Sequence, residues 1–215
     1  MQSSVKFRGF LRGILFGSAA IAGAATAAAQ DGSGQSVITA ARYVDVLSGK
    51  TIEYPAIFVG ADGRITNIAD ARTVRWSSNV KHIDLGQRTL LPGLIGMLVH
   101  LDGPADIGGN RGLEFTDSFW GMTAVGAART MLDAGFTTVR NVGADYRNDI
   151  GLKQAIEAGY AVGPRIVPAG YALGATGGHC DSTFLPPSLE HENKEEGIGD
   201  TPEELRHQVR RQRKF

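Results

Sequence analysis

The stretch LIGMLVHL, residues 94–101, decides the fold, because an apolar run of this length is typical of a buried strand. A helical pattern follows over residues 116–133, where apolar residues recur at steps of three and four. Gly135 stands where such a helix would end. Residues 136–142, FTTVRNV, then predict a second buried strand. Strand, helix and strand in this order indicate parallel βα units.

The same alternation continues towards the C-terminus. Residues 149–158 predict a second helix, residues 165–173 predict a third strand, and a long loop rich in Gly and Pro follows. Thr201-Pro202-Glu203-Glu204 has the form of a capping box with Pro at the first helical position, which predicts a third helix. The C-terminal part therefore contains three βα units, whereas a closed (β/α)₈ barrel needs about 250 residues.

Towards the N-terminus the sequence predicts a β-rich region. The predicted strands are residues 37–46, 56–59, 64–68, 80–85 and 88–91. Asp62-Gly63 is a hairpin signal between the second and third of these strands. A small sheet with one buried face needs a second layer, and the sequence up to Pro92 does not indicate one. We therefore expect only part of a small β-sandwich domain here.

The first 29 residues have the features of a secretory signal peptide. Basic residues precede an apolar run over residues 14–25, and Ala27-Ala28-Ala29 provides a small-residue cleavage pattern. We expect cleavage before Gln30 and a periplasmic or secreted protein that is not membrane-bound after cleavage. An uncleaved membrane anchor is the alternative, although the apolar run is short for a membrane span.

Composition excludes several classes of protein. The 215 residues include 22 Lys and Arg against 22 Asp and Glu, with 42% hydrophobic residues, which is typical of a globular protein. The balanced charge argues against a nucleic-acid partner, since such proteins usually carry a basic excess. A single cysteine, Cys180, excludes a disulfide framework within the chain.

Residues 90–102, LLPGLIGMLVHLD, resemble the metal-binding start of the amidohydrolase superfamily, which reads Leu-Pro-Gly-Leu-Ile-Asp-x-His-x-His. Other stretches resemble the same superfamily in the same order. They are Asp62-Gly63-Arg64-Ile65, Ile83-Asp84-Leu85-Gly86, the segment GFTTVRNVG at residues 135–143, Gly163-Pro164-Arg165-Ile166 and Thr176-Gly177-Gly178-His179. The last two are similar to the branch of Xaa-Pro dipeptidase-like and imidazolonepropionase-like enzymes.

The resemblance implies an α/β fold, namely a partial (β/α)₈ barrel of the TIM type that consists of the first three βα units. On this basis residues 1–29 are the signal peptide, residues 30–92 are the β-sandwich portion, and residues 93–215 are a truncated metal-dependent hydrolase barrel. The implied reaction is hydrolysis of an amide or peptide-type C–N bond by water activated on Zn²⁺. The implied substrate is a dipeptide or an N-acyl amino acid.

Two site residues carry over from the resemblance. His100 corresponds to a metal ligand, and His179 lies in the loop that faces the substrate, where it would bind a carboxylate. The sequence also departs from the pattern. Positions 96, 98 and 100 are expected on one strand face, where the superfamily has Asp, His and His and this chain has Gly96, Leu98 and His100. The later ligands, a Lys, two His and an Asp, are absent, so we assign no catalytic residue and doubt that the chain alone holds Zn²⁺.

Alternatives stay open for each of these residues. His100 is a metal ligand or a hydrogen-bonded histidine at a strand end, and His179 is a substrate-binding residue or part of a surface loop. Asp102 contacts an imidazole or substrate, or it caps a loop. Arg140 and Asn141 have a site role or a structural one. The chain as a whole is a hydrolase by lineage, or a catalytically inactive truncated fragment that associates with a complementary chain through the open barrel edge.

Overall fold

The computed structural model describes residues 35–183, 185–189 and 196–215. The signal peptide predicted over residues 1–29 lies outside this range. The described residues divide into two compact units between Leu90 and Leu91, called here the N-terminal unit (residues 35–90) and the C-terminal unit (the described residues from 91 onwards). None of the helices in the described part of the chain has the length and apolar character needed to span a bilayer.

The N-terminal unit consists of two β-sheets. Its strands are β1 (Ser36–Thr39), β2 (Arg42–Asp45), β3 (Lys50–Glu53), β4 (Pro55–Val59), β5 (Ile65–Asp70), β6 (Lys81–Asp84) and β7 (Thr89–Leu90). One sheet has the order β5-β4-β1-β6 and the other has the order β3-β2-β7. Strand β1 is antiparallel to β4 and parallel to β6. The buried side chains of the first sheet, Val37, Ala56 and Phe58, pack with Val80 and the half-buried Trp76.

The prediction of one strand over residues 37–46 is wrong, because this segment forms β1 and β2 in two different sheets. The chain changes sheet at Ala41, whose N–H donates to the carbonyl of Gly86 and whose carbonyl accepts from the N–H of Tyr54, both at 2.8 Å. A second sheet is therefore present that the sequence pattern did not indicate. Alternating polarity marks a strand, but it does not show where the strand's pairing partners change.

The C-terminal unit alternates strands and helices as predicted. Its elements are β8 (Leu94–Val99), α1 (Asp117–Asp133), β9 (Phe136–Asn141), α2 (Asn148–Glu157), β10 (Arg165–Val167) and α3 (Pro202–Lys214), with short 3₁₀ helices at Gly109–Glu114, Asp145–Arg147 and Pro187–Leu189. The three strands are parallel, in the order β10-β9-β8. The third strand is shorter than predicted, because its pairing with β9 ends at Val167.

Helices α1 and α2 cover one face of this parallel sheet. Val139 and Ile166 pack there against Ala128 of α1 and Leu152 of α2, and Leu101 completes the buried cluster. The opposite face carries exposed apolar side chains, among which Leu98 is 69% exposed. The sheet is therefore a two-layer βα arrangement with one layer of helices among the described residues.

A β-bulge in β8 changes which side chains share a face. Gly96 pairs with Val139 and Val99 pairs with Asn141, so that three residue steps of β8 match two of β9. A Cβ atom on Gly96 would lie 3.3 Å from the side chains of Val139 and Val99, which places Gly96 on the helix-covered face. The expectation that Gly96, Leu98 and His100 share one face is therefore wrong for Gly96, because the bulge interrupts the two-residue period.

Helix α3 begins with the capping box that the sequence predicts. The hydroxyl of Thr201 accepts from the N–H of Glu204 at 3.2 Å, and the Glu204 carboxylate accepts from the N–H of Thr201 at 2.9 Å. The N–H of Asp200 donates to the same carboxylate at 2.9 Å. These backbone donors, first Asp200 and then Thr201, lower the pKa of Glu204 from its ordinary value of 4.5.

The cap predicts a specific dependence of stability on acid. The pKa of Glu204 is lower in the folded state than in the unfolded state. The ionised carboxylate therefore contributes fully to the stability of the fold above about pH 4.5, and this contribution is lost as the pH falls through the lower pKa of the folded state. We expect Glu204→Gln to remove this part of the acid sensitivity, since Gln also serves in a capping box. Urea unfolding at pH 6 and pH 3.5 measures the effect. Glu203→Gln, in the same helical turn, is the control and should retain the wild-type dependence; equal behaviour of both variants would contradict the prediction.

Candidate functional site

The loops that follow the three parallel strands converge on one pocket of about 300 Å³. Asp102 follows β8, Asp145 follows β9 and Tyr171 follows β10, and all three line it. The other lining residues are Gly103, Ile107, Gly108, Gly112, Leu113, Trp120, Tyr146, Ser182, Leu185 and Glu196. In barrels of βα units the functional groups lie at the C-terminal ends of the strands. The pocket therefore occupies the position at which this architecture places its chemistry.

Two carboxyl groups of the pocket have pKa values above their ordinary ones. Asp102 is only 8% exposed, and burial together with the nearby charge of Asp145 raises its pKa to about 6, although the side-chain amide of Asn148 donates to it at 3.3 Å. Asp145 is exposed as a residue, but its carboxyl group is enclosed enough that desolvation raises its pKa, against the opposing effect of His100. Ionisation of both groups together is therefore costly.

His100 follows β8 and is oriented by the loop after β9. Its Nδ1 atom lies 3.1 Å from the carbonyl oxygen of Gly143. A carbonyl only accepts, so Nδ1 carries the proton and the lone pair of the neutral ring is on Nε2. A Cβ atom on Gly143 would lie 3.4 Å from the imidazole Cε1 atom and 3.0 Å from the Ala172 side chain, so glycine permits this close approach. The arrangement is the one by which metal-binding histidines are commonly oriented.

The described residues do not fit a complete metal site. No group of three or more His, Cys, Asp or Glu side chains within the described ranges could hold a metal ion. Leu98, two positions before His100, has no ligand atom, and a catalytic zinc site typically has three protein ligands. His100 is thus suited to be one ligand, and the described residues do not complete a metal site around it.

His179, predicted to bind substrate, lies in a tight turn after β10. The N–H of Gly177 donates to Asp181 at 2.7 Å, and the N–H and hydroxyl of Thr176 donate to Asp200 at 2.8 and 2.7 Å. His179 itself is exposed and is not among the described residues that line the pocket. Ser182, a few residues further along the same loop, does line it. The role of His179 stays a prediction.

Arg140 and Asn141 have structural contacts at the end of β9. The Arg140 Nε atom donates to the carbonyl of Met97 at 2.7 Å, within the bulge of β8. Asn141 is 1% exposed; its oxygen accepts from the N–H of Leu101 at 3.1 Å, and its nitrogen donates to the Gly143 carbonyl at 2.9 Å and to Asp149 at 3.2 Å. The Arg140 side chain therefore connects β9 to β8. The Asn141 side chain connects the end of β9 to the residues that follow β8 and β9 and to the start of α2.

Several pocket residues were not singled out as functional from the sequence. Asp145 and Tyr171 follow the strand ends closely, which is the one signal that could have identified them. Trp120 in α1 is a further pocket residue of this kind. It is half-buried, lines the pocket, and packs edge-on against Phe115 and Phe119 with ring-centroid distances of 5.8 and 5.3 Å.

Comparisons with known proteins agree with this architecture. Residues 89–215 match the family model described as "Amidohydrolase family". No curated protein is significantly similar to this chain. Among solved structures, a Xaa-Pro dipeptidase with methionine bound in its active site is 28% identical with a TM-score of 0.71. A prolidase complexed with N-methylphosphonate-L-proline is 30% identical with a TM-score of 0.69.

Both matches cover 84% of this chain and 44% of the other chain, so the chain spans less than half the length of these relatives. The ochratoxinase of A. niger has a TM-score of 0.68 over the same shares, and at 22% identity it supports the fold alone. The family match extends over more than half of the sequence and contains all three βα units, the bulged strand and His100. This chain belongs to the amidohydrolase family.

Proposed function

We propose that this protein takes part in metal-dependent hydrolysis of amide or peptide-type C–N bonds, with a dipeptide or an N-acyl amino acid as substrate. Membership of the amidohydrolase family supports a hydrolase function in general. The prolidase-like relatives support a small peptide-like substrate. In this proposal the C-terminal unit supplies the first three βα units of an eight-stranded barrel, and the protein acts in the periplasm or after secretion.

The observation that carries the proposal is the orientation of His100. Its Nδ1–H bond to the Gly143 carbonyl presents Nε2 as an acceptor at the C-terminal end of β8. Asp145 lies close enough for its charge to interact with the same ring. A bound Zn²⁺ would polarise a carbonyl group and activate water. Because the described residues do not complete a metal site, we derive no catalytic step from them and assign His100 a ligand role only.

A second candidate is that the chain has no activity alone and requires a complementary chain. The specific observation is the uncovered face of the parallel sheet, where Ile95, Leu98 and Val167 are exposed beside the helix-free side of β9. Apolar side chains exposed on an uncovered sheet face favour an interaction site. In this candidate the partner supplies the remaining strands of the barrel together with the missing metal ligands.

Metal binding separates the two candidates. The first candidate requires that the chain binds Zn²⁺ through His100, in which case His100→Ala should weaken binding at least about tenfold. His82→Ala in β6 is the matched control, because His82 is an exposed histidine of the N-terminal unit. Zn²⁺ affinity by calorimetry and release of proline from Gly-L-Pro by amino-acid analysis are the measurements.

Each outcome has a definite meaning. Stoichiometric Zn²⁺ with dipeptide turnover, both lost in His100→Ala and kept in His82→Ala, supports the first candidate for the chain itself. No stoichiometric metal and no turnover by the wild-type chain contradicts activity of the chain alone and supports the second. Zn²⁺ binding that is equal in both variants would contradict the ligand role of His100.

A further inference from the structure

We propose that the pocket at the C-terminal ends of β8, β9 and β10 binds a cationic group, an ammonium or a guanidinium, carried by an amino-acid-like ligand. The inference deepens the proposed function and rests on it for one point, that the ligand is a substrate. The evidence comes from the charge, the aromatic surface and the size of the pocket, and each is independent of any metal.

The charge of the pocket wall has one sign. Asp102, Asp145 and Glu196 line it, and the lining residues that the structure describes include no Lys, Arg or His. Asp102 is almost fully buried, and the exposed Asp145 lines the same pocket. A cationic group in the pocket would be attracted by these carboxylates, because opposite charges interact strongly where water is excluded. An anionic ligand would be repelled by them.

Aromatic rings form a second part of the wall. Trp120, Tyr146 and Tyr171 line the pocket together with the carboxylates. Aromatic faces attract cations, most strongly the face of Trp, and ammonium ligands are commonly recognised by such rings. One face of Tyr171 is occupied by the guanidinium of Arg147, which lies 4.8 Å from the ring centroid. The aromatic surface offered to a cationic ligand therefore consists mainly of Trp120 and Tyr146. Carboxylates beside aromatic rings are therefore a suitable wall for a cation.

The size and the apolar lining indicate the type of cation. A volume of about 300 Å³ is at the lower end of the range for ligand pockets, which suits one amino-acid residue and not a large ligand. Ile107, Leu113 and Leu185 offer apolar surface to an aliphatic stem. Two sources of the cation satisfy this chemistry, namely the free α-ammonium group of a peptide and the side chain of Lys or Arg.

Calorimetry with matched small probes on the full chain tests the inference and distinguishes the sources. Norleucine amide carries only an α-ammonium group, Nα-acetyl-lysine amide carries only a side-chain cation, and Nα-acetyl-norleucine amide carries neither. We expect at least one cationic probe to bind, and the neutral probe to bind about tenfold or more weakly. Similar affinity for the neutral probe and both cationic probes, or no binding of any probe at millimolar concentration, would overturn the inference.

Isosteric variants test whether the cationic probes bind in this pocket. Asp102→Asn and Asp145→Asn each remove one negative charge, and we expect each to weaken the cationic probe about tenfold or more. Glu157→Gln is the matched control, because Glu157 is an exposed carboxylate of α2 outside the pocket. Circular dichroism verifies folding. Asp145→Asn keeps the test informative if the buried Asp102 does not tolerate substitution. Unchanged affinity in the folded Asn variants would overturn the inference.

Binding and hydrolysis separate this inference from the proposed function. Carboxylate-dependent binding of a cationic probe without hydrolysis of any dipeptide would leave the inference standing and count against the proposed function. The same kcat/KM for an Nα-acetylated substrate with no cationic side chain as for substrates that carry an α-ammonium group or a Lys side chain would support the proposed function and overturn the cation preference. A higher kcat/KM for the cationic substrate, reduced in Asp145→Asn and retained in Glu157→Gln, would support both.

Discussion

Replacing Asp149 by alanine is expected to lower the free energy of unfolding of the C-terminal unit by about 3 kcal/mol or more. Asp149 is 1% exposed at the start of α2 and accepts hydrogen bonds from the N–H groups of Ala169 at 2.8 Å and Gly170 at 3.1 Å. It also accepts from the Asn141 amide at 3.2 Å and from the N–H of Ile150 at 2.8 Å. Each buried donor left without a partner costs about 1–3 kcal/mol.

The location of these donors makes the effect large. They belong to the end of β9, the start of α2 and the loop after β10. The Asp149 side chain alone therefore connects three segments of the C-terminal unit. Asp149→Asn should cost less than Asp149→Ala, because the amide retains one acceptor oxygen.

Urea unfolding followed by tryptophan fluorescence provides the measurement. Trp120 reports on unfolding of the C-terminal unit and Trp76 on unfolding of the N-terminal unit. The control is Asp133→Ala. Asp133 is an exposed aspartate at the end of α1, and its 2.8 Å ion pair with Arg129 is screened by solvent and contributes little to stability. Equal losses in Asp149→Ala and Asp133→Ala would show that the hydrogen-bond cluster has no special importance for stability.

Leu101→Ala is expected to cost about 2–5 kcal/mol in the same unit. Leu101 is 3% exposed and belongs to the cluster in which Val139 and Ile166 pack against α1 and α2. Truncation removes buried apolar surface and leaves a cavity between the sheet and the helices. The backbone N–H of Leu101, which donates to Asn141, is unchanged by the substitution, so the measured loss reports side-chain packing.

Leu98→Ala is the matched control for Leu101→Ala, because the same residue type three positions earlier is 69% exposed. We expect a change within about 0.5 kcal/mol, as for ordinary surface substitutions. A loss for Leu98→Ala as large as that for Leu101→Ala would show that Leu98 is buried in solution. That result would favour association of chains through the uncovered sheet face.

Much of the C-terminal unit was predictable because its signals are local. The three- and four-residue spacing over residues 116–133 gave the bounds of α1 almost correctly, and the capping box at Thr201 located the start of α3. The third strand was predicted too long, since the apolar character of residues 168–173 belongs to a loop that leads towards the pocket.

The N-terminal unit was less predictable. Residues 37–46 have the composition of one strand, but the backbone hydrogen bonds of Ala41 divide them between two sheets. Strand pairing depends on partners far away in the chain, such as Gly86 and Tyr54, and no local pattern records those partners. The bulge in β8, which determines the face on which Gly96 lies, was not predicted for the same reason, because it depends on the pairing of β8 with β9.

The sequence by itself determined the family, the βα alternation and the position of His100 as a candidate ligand, because these depend on motifs and on periodicity within short segments. Only the tertiary structure decided that Asp102, Asp145 and Tyr171 share one pocket. It also decided that the buried side chains of Asn141 and Asp149 form a hydrogen bond with each other. These groups lie tens of residues apart and meet because parallel strands bring the loops after their C-terminal ends to one edge of the sheet. The inferred preference for a cation depends on that meeting, because it brings the carboxylates and the aromatic rings to one pocket.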